Sequence, residues 1–171
     1  MNDAELRARL ESLHSESFGW ALACCRRDRD DAEEVLQMTY LAVLEERARY
    51  DGRSAFRTWL FGVIRLTAAT VRRQRWSRRQ LLDRNVHRLD RPSEHPSLET
   101  SIIQRDRAAR LERALDQLSV RQRHVLQLVF YHGLTVDEAA ETLGISVGSA
   151  RTHYARGKAR LAELLEAERR A

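Results

Sequence analysis

The sequence predicts an all-α fold: two small helical domains joined by a flexible linker, the C-terminal one containing a helix-turn-helix. Apolar residues recur at helical spacing, with no strand-like alternation. Gly and Pro are scarce, at 7 and 2 of 171 residues, while Ala, Leu, Glu and Arg are abundant, a balance that favours helices. Both prolines, Pro92 and Pro96, fall in a polar stretch between two apolar-rich halves, and that composition reads as a linker. The expected division is a first domain over 1–78, a linker over 79–106 and a second domain over 107–171.

In the first half, Leu6, Leu10, Leu13, Trp20, Leu22 and Ala23 predict one helix from Leu6 to Cys25. Asp30 and Glu33 have capping-box spacing and would open a second helix carrying Val35, Leu36, Met38, Leu41 and Leu44, ending near Tyr50–Asp51–Gly52. A third helix is expected from Phe56 through Arg75, its apolar face made by Phe56, Trp59, Leu60, Val63, Ile64 and Val71.

Start and stop signals are sharper in the second half. Leu111, Leu115 and Leu118 line one helix. Ser119 with Gln122, and Thr135 with Glu138, each form the S/T-x-x-E/Q box that satisfies helix-start N–H groups. His132-Gly133 and Gly144 supply helix stops, and Ser146 can cap a final helix from Val147 to about Glu166. Ala139 and Ala140 are small where two helices must cross, and Gly144 can take the left-handed backbone of the turn.

That last stretch is the strongest functional signal. A capped helix, a Gly turn and a second capped helix make a helix-turn-helix. Arg151, Thr152, His153 and Arg156 then belong to the helix that enters the major groove, where Arg forks onto guanine and Thr meets the thymine methyl. A second signal is the run Arg65, Arg72, Arg73, Arg75, Arg78, Arg79, Arg84, Arg88 and Arg91, opposed there only by Asp83 and Asp90, with Trp76 among them. Arg neutralises phosphates and aromatics stack on exposed bases. The third is acidic. Asp31, Glu34, Glu45 and Glu46 belong to an amphipathic helix, and acids are not aimed at DNA, so this helix should face a protein. The net charge of +5 agrees with an anionic partner.

Other chemistries find little support. Asp30, Asp31 and Glu34 could hold Mg²⁺ as in a nuclease, but acids at a helix start also suit its dipole, and no phosphate loop, metal set or nucleophile motif accompanies them. Cys24 and Cys25 are adjacent and point apart on a helix, so they read as core thiols of a reducing compartment. No cofactor or metal is expected. No apolar run is long enough to span a bilayer, so the chain is expected in the cytoplasm, without direct membrane insertion. A stand-alone helix-turn-helix regulator would account for the C-terminal half but not for the acidic helix or the DGRSAFRTW loop.

Taken in order, DAEEVLQMTYLAVLEE, RYDGRSAFRTWLFGVIR and LSVRQRHVLQLVFYHGLTVDEAAETLGISVGSARTHYARGKARLAELL resemble the extracytoplasmic-function (group 4) branch of the bacterial sigma-70 family. The resemblance implies a non-enzymatic transcription initiation factor that brings core RNA polymerase, through its β′ and β subunits, to promoter DNA. It also implies control by an anti-sigma factor, often membrane-bound. By position it assigns Asp31, Glu34, Val35, Gln37 and Leu41 to the polymerase. Asp51, Gly52, Arg53, Ser54, Phe56, Arg57 and Thr58 fall in the loop that captures a flipped −10 base, and Trp59, Arg65, Arg72, Arg73, Arg75 and Trp76 on the −10 helix. Ser146, Ser149, Arg151, Thr152, His153, Arg156 and Lys158 are assigned to the −35 element. The chain departs from the family at Met38, where an acid is usual, at Leu66 and Thr70, in place of Asn and Asp, and at Ala155, in place of a bulkier apolar residue. A linker of about 25 residues reaches roughly 80 Å at about 3.3 Å each. That exceeds the roughly 55 Å between promoter elements at about 3.4 Å per base pair.

Overall fold

The computed structural model describes residues 2–82 and 102–170, with side chains for 2–77 and 106–170. Among the described residues there are eight α-helices and no strand. They are α1 (Asp3–Ser12), α2 (His14–Cys24), α3 (Arg29–Leu44), α4 (Phe56–Leu82), α5 (Ile102–Asp116), α6 (Val120–Leu126), α7 (Val136–Leu143) and α8 (Val147–Arg170), with a π-helical segment, Gln127–Tyr131, after α6. The chain divides into two compact units, Met1–Ser93 and Glu94–Ala171.

In the first unit α2, α3 and α4 pack against one another and α1 lies against α2 and α3. Asn2 starts α1 by accepting from the Glu5 N–H at 2.7 Å. The single helix expected from Leu6 to Cys25 is instead broken at Leu13 (φ −97°, ψ 2°). There the Ser12 hydroxyl donates back to the Arg9 carbonyl at 2.9 Å, a local bond that competes with helix continuation. Leu10, Trp20, Ala21, Ala23 and Cys24 are buried, as are Ala32, Val35, Leu36, Leu60, Phe61 and Ile64 on the helices they meet. The Trp20 indole N–H donates to the Phe61 carbonyl at 2.9 Å, and the two rings stack with centroids 6.1 Å apart.

The turn into α3 departs from expectation. Arg26 (φ 55°) and Arg27 (φ 66°) are both left-handed, and the Arg27 N–H closes on the Leu22 carbonyl at 2.8 Å, the six-to-one bond of a Schellman ending. The chain therefore re-enters a helix at Arg29, and the cap is Asp28, not Asp30: its carboxylate accepts from the Asp31 N–H at 2.9 Å. At its other end α3 stops at Leu44, before the expected Tyr50, with Glu46 left-handed at φ 56°.

Helix α4 runs past Arg75 to Leu82, and α5 begins at Ile102. Both ends of the expected 79–106 linker are therefore helical. The remainder, with Pro92, Pro96, Arg84, Arg88 and Arg91, lies outside the described residues.

In the second unit both capping boxes form, Ser119 with Gln122 and Thr135 with Glu138. Gly144 ends α7 in the left-handed conformation (φ 60°, ψ 43°), and Ser146 Oγ accepts from the Ser149 N–H at 3.1 Å to start α8. Ala114, Leu118, Leu126 and Leu164 form a buried cluster, with Leu115, Tyr154, Leu161 and Leu165 packed on it. Ala139, Ala140 and Ala150 are buried where α7 and α8 pack together. The π-helical segment was not anticipated. Its widened turn is closed by the His132 N–H on the Gln127 carbonyl at 3.2 Å, and it leaves Phe130 and Tyr131 exposed.

Two expected outcomes follow from this backbone. Arg26 is exposed and pays a left-handed cost of about 1–2 kcal/mol, whereas Gly costs roughly 0.5–1 kcal/mol in entropy. Arg26→Gly should thus stabilise the first unit by about 0.5–1 kcal/mol. Tryptophan fluorescence in urea reads that unit alone, because Trp20, Trp59 and Trp76 all lie in it. At Gly157, an added Cβ would meet Gln122 Cβ at 3.1 Å and Leu126 Cδ1 at 3.2 Å. Gly157→Leu should force α8 off α6 and cost about 1–3 kcal/mol, seen in far-UV circular dichroism with the fluorescence transition unmoved.

Candidate nucleic-acid interface

Helix α8 buries Ala150, Gly157 and Leu164. The face away from them carries Thr152, Ala155, Arg156 and Ala159, all exposed, with Ser149 exposed at the helix start. The alanines at 155 and 159 keep this face low around Thr152 and Arg156. Arg160 follows Arg156 by one turn, also exposed, and pairs with Glu163 at 3.0 Å. It was not singled out from the sequence; its four-residue spacing from Arg156 was the signal. The Thr152 hydroxyl donates to the Gly148 carbonyl at 3.0 Å, so its methyl and the oxygen lone pairs are what it offers a partner. His153 is half-buried at the flank. Arg151 and Lys158 lie to the other side. Arg151 reaches α7 and pairs with Asp137 at 3.4 Å, and Lys158 Nζ sits 5.4 Å from the Tyr154 ring centroid. Arg121 donates to the Leu143 carbonyl at 3.4 Å, tying α6 to the end of α7. The second unit is a helix-turn-helix with its outer row presented.

In the first unit the 51–58 loop has a polar rim over an aromatic floor. Asp51, Gly52 and Arg53 are exposed. Asp51 holds the rim by accepting from the Arg53 N–H at 3.1 Å and pairing with its guanidinium at 3.2 Å. Tyr50, Phe56 and Trp59 form a cluster with every ring pair 5.3 Å between centroids, and the Tyr50 hydroxyl donates to the Ser54 carbonyl. Tyr50 was read only as a turn residue; its role is visible only once the helices bring Phe56 and Trp59 to it. Arg57 turns to Glu16 at 3.1 Å. Phe56 and Thr58 are buried, Thr58 at 1% exposure. Both are expected among the DNA contacts, but their side chains are buried in the core.

The Arg cluster of α4 divides by direction. The charges of Arg65 and Arg72 bear on Cys24, and those of Arg75 and Arg72 on Cys25, while Arg72 remains exposed. Arg73 instead follows Leu66 and Thr70 along the outward row, and Trp76 is exposed. Arg75, expected at −10 DNA, pairs with both Asp31 and Glu34, the latter at 2.5 Å. The structure thus joins a residue assigned to DNA with two assigned to polymerase, because α4 packs along α3. Burial pushes the Cys25 thiol up to about 11 and raises Cys24 further, so both stay protonated near neutrality.

On α3, Glu34, Gln37 and Leu41 are exposed, and Leu44 continues their row. Leu44 was seen as helix face but not as a contact. Val35 was assigned to the same partner surface, but it is fully buried and supports the helix from behind. Among the described residues no helix is long and apolar enough to cross a membrane.

Residues 10–78 match the family Sigma-70 region 2, and residues 108–161 match Sigma-70, region 4. The chain is 33% identical over 134 residues to the ECF RNA polymerase sigma factor SigF of Caulobacter vibrioides, spanning 78% of this chain and 70% of that one. It is 29% identical to the ECF RNA polymerase sigma factor SigX of Bacillus subtilis over 77% of this chain and 69% of that one. In structure it is similar to the sigma factor RpoE of Bartonella quintana, with a TM-score of 0.76 at 23% identity, over 95% of this chain and 97% of that one. The architecture defined above is therefore that of a transcription initiation factor built from two helical units. The chain belongs to the sigma-70 family, in its ECF branch.

Because Arg75 is shared with Asp31 and Glu34, a double-mutant cycle of Arg75→Gln with Glu34→Gln should give a coupling energy of up to about 1 kcal/mol for these half-exposed groups. Chemical denaturation read by tryptophan fluorescence measures it. A coupling of zero would mean that Arg75 gains nothing from Glu34 and that its partner in solution is not that acid.

Proposed function

We propose that this chain docks on core RNA polymerase through α3 and directs it to promoters whose −10 and −35 elements are read by α4 with the 51–58 loop and by α8. The observation that carries the reading is the exposed row of α3. Glu34, Gln37, Leu41 and Leu44 stand in water with two leucines among them, on a unit whose neighbouring helix is rich in Arg. Exposed leucines beside acids suit a protein and not a nucleic acid.

The division of labour follows from the side chains. Arg156, with the Thr152 methyl one turn before it and Arg160 one turn after, is suited to base edges and phosphates of duplex DNA. The rim of Asp51, Gly52 and Arg53, with the half-buried Tyr50 and Trp59 rings beside it, is suited to an unpaired base: extruding one costs a few kcal/mol, which stacking and hydrogen bonds offset. Arg73 and Trp76 would add phosphate and stacking contacts. We take the working domains to be centred on 10–78 and 108–161. No step in this scheme makes or breaks a bond in the chain's own site, so it acts by binding, and it acts where polymerase is, in the cytoplasm. The relatives RpoE and CnrH occur in complexes with the anti-sigma factor NepR and with the cytosolic domain of CnrY. These support an anti-sigma partner here as well, membrane-bound or free.

The test is run-off transcription with core polymerase on a genomic promoter library. The chain should redirect initiation to a defined set of start sites. Arg156→Ala should lower output from them, equivalent to about 1–3 kcal/mol if the guanidinium forks onto a guanine. Gln37→Ala with Leu41→Glu should abolish co-purification with core polymerase while the unfolding midpoint is kept. Unchanged start sites in the presence of the chain would overturn the reading.

A further inference from the structure

We infer that Leu66 is a specificity-determining residue, which recognises a thymine of the −10 element through that base's 5-methyl group; this rests on the assignment of α4 to −10 DNA made above. Leu66 is 57% exposed in the middle of α4. The fold gives no reason for it: the core face of the helix is already made by Leu60, Phe61, Ile64, Ala68 and Val71, all buried. An exposed leucine on a helix rich in arginine gains by being covered, and what such a helix attracts is nucleic acid.

The neighbours narrow what can cover it. Thr70, one turn along, is exposed, but its hydroxyl donates to the Leu66 carbonyl at 3.1 Å. The hydroxyl of Thr67, beside it, donates to the Val63 carbonyl at 3.0 Å. Both hydroxyl hydrogens are turned onto the helix backbone, so Thr70 offers a methyl next to the Leu66 side chain. Arg73 continues the row and supplies the charge for a phosphate. Apart from the Thr70 hydroxyl oxygen, which keeps its lone pairs, the patch is carbon, with a cation at its edge.

Base edges carry one apolar group that depends on sequence, the C5-methyl of thymine. A cytosine amino group or a guanine carbonyl placed on Leu66 would lose its water without gaining a partner. The same surface therefore favours thymine and disfavours the rest. Trp76 is also exposed, at 61%, but a ring stacks on any base and adds affinity without sequence. Selection on this helix falls to Leu66.

The experiment uses the chain bound to core polymerase on a promoter it drives. Each thymine of the −10 element is replaced in turn by deoxyuridine, which keeps its pairing and lacks the methyl. With the wild-type chain, open-complex formation should fall about three- to fivefold at one position, the worth of a buried methyl group. Leu66→Ala should show a similar loss on the normal promoter and no further loss with deoxyuridine there, while Leu66→Met should keep the sensitivity. If initiation occurs but no position responds to deoxyuridine, or if Leu66→Ala responds as fully as wild type, the assignment of Leu66 is overturned and the sigma-factor reading stands. If the chain directs no initiation, both are overturned.

Discussion

The first unit turns on a buried hydrogen bond between two helices. Trp20 is fully buried, so its indole N–H must find a partner, and the one it finds is the Phe61 carbonyl at 2.9 Å. An unmade bond of this kind costs about 1–3 kcal/mol, and the stacked Phe61 ring adds packing to it. The bond fixes how α4 lies on α2. Three further features of the unit go with that placement. The start of α4 is brought under Tyr50, which closes the aromatic floor of the 51–58 loop. Its middle turns Leu66 outward. Its later turns carry Arg75 across to Asp31 and Glu34.

The second unit obeys a different constraint, close approach. Ala139, Ala140 and Ala150 let α7 and α8 meet at short range, and Gly157 leaves no room for a side chain against Gln122 and Leu126. Small residues on the inner face permit a rigid seating of α8 without long side chains that would have to be ordered. The outer row of Ser149, Thr152 and Arg156 is then held at a fixed angle by the helix beneath it. A recognition helix needs this, because base-edge contacts are lost with small displacements. Arg121 on the Leu143 carbonyl and Arg151 on Asp137 tie the remaining freedom of the turn.

Features whose causes lie within four residues were legible in the sequence. The boxes Ser119/Gln122 and Thr135/Glu138, the left-handed Gly144 and the Ser146 cap are all local chemistry, and all stand where their residue types put them. The family resemblance was carried by the same kind of contiguous motif. Features decided by tertiary contact were not legible. Nothing in Arg26 or Arg27 signals a left-handed turn, so the α3 cap was misassigned to Asp30 when Asp28 holds it. The burial of Val35, Phe56 and Thr58 depends on which helix lies opposite, and a motif match cannot tell a contact residue from its support. Arg75 was grouped with its neighbours by sequence, while its partners lie more than forty residues away. The π-helical segment at Gln127–Tyr131 has no composition of its own to announce it.

The pairing of Arg75 changes how the positive charge of the first unit should be counted. Read from the sequence, α4 carries a cluster of arginines able to neutralise phosphates. In the structure Arg75 faces Asp31 and Glu34, and Arg57 faces Glu16. Each cation neutralised within the chain is one fewer counterion released on binding DNA, and affinity falls with the number of phosphates engaged. The outward row keeps Arg73, and its other members, Leu66 and Thr70, are uncharged. Such a surface is poor at seizing duplex DNA and well matched to bases already delivered to it. That is the behaviour required of a subunit whose DNA should be supplied by the polymerase it serves, and the same acids that pair with Arg75 lie at the start of α3, the helix proposed to dock.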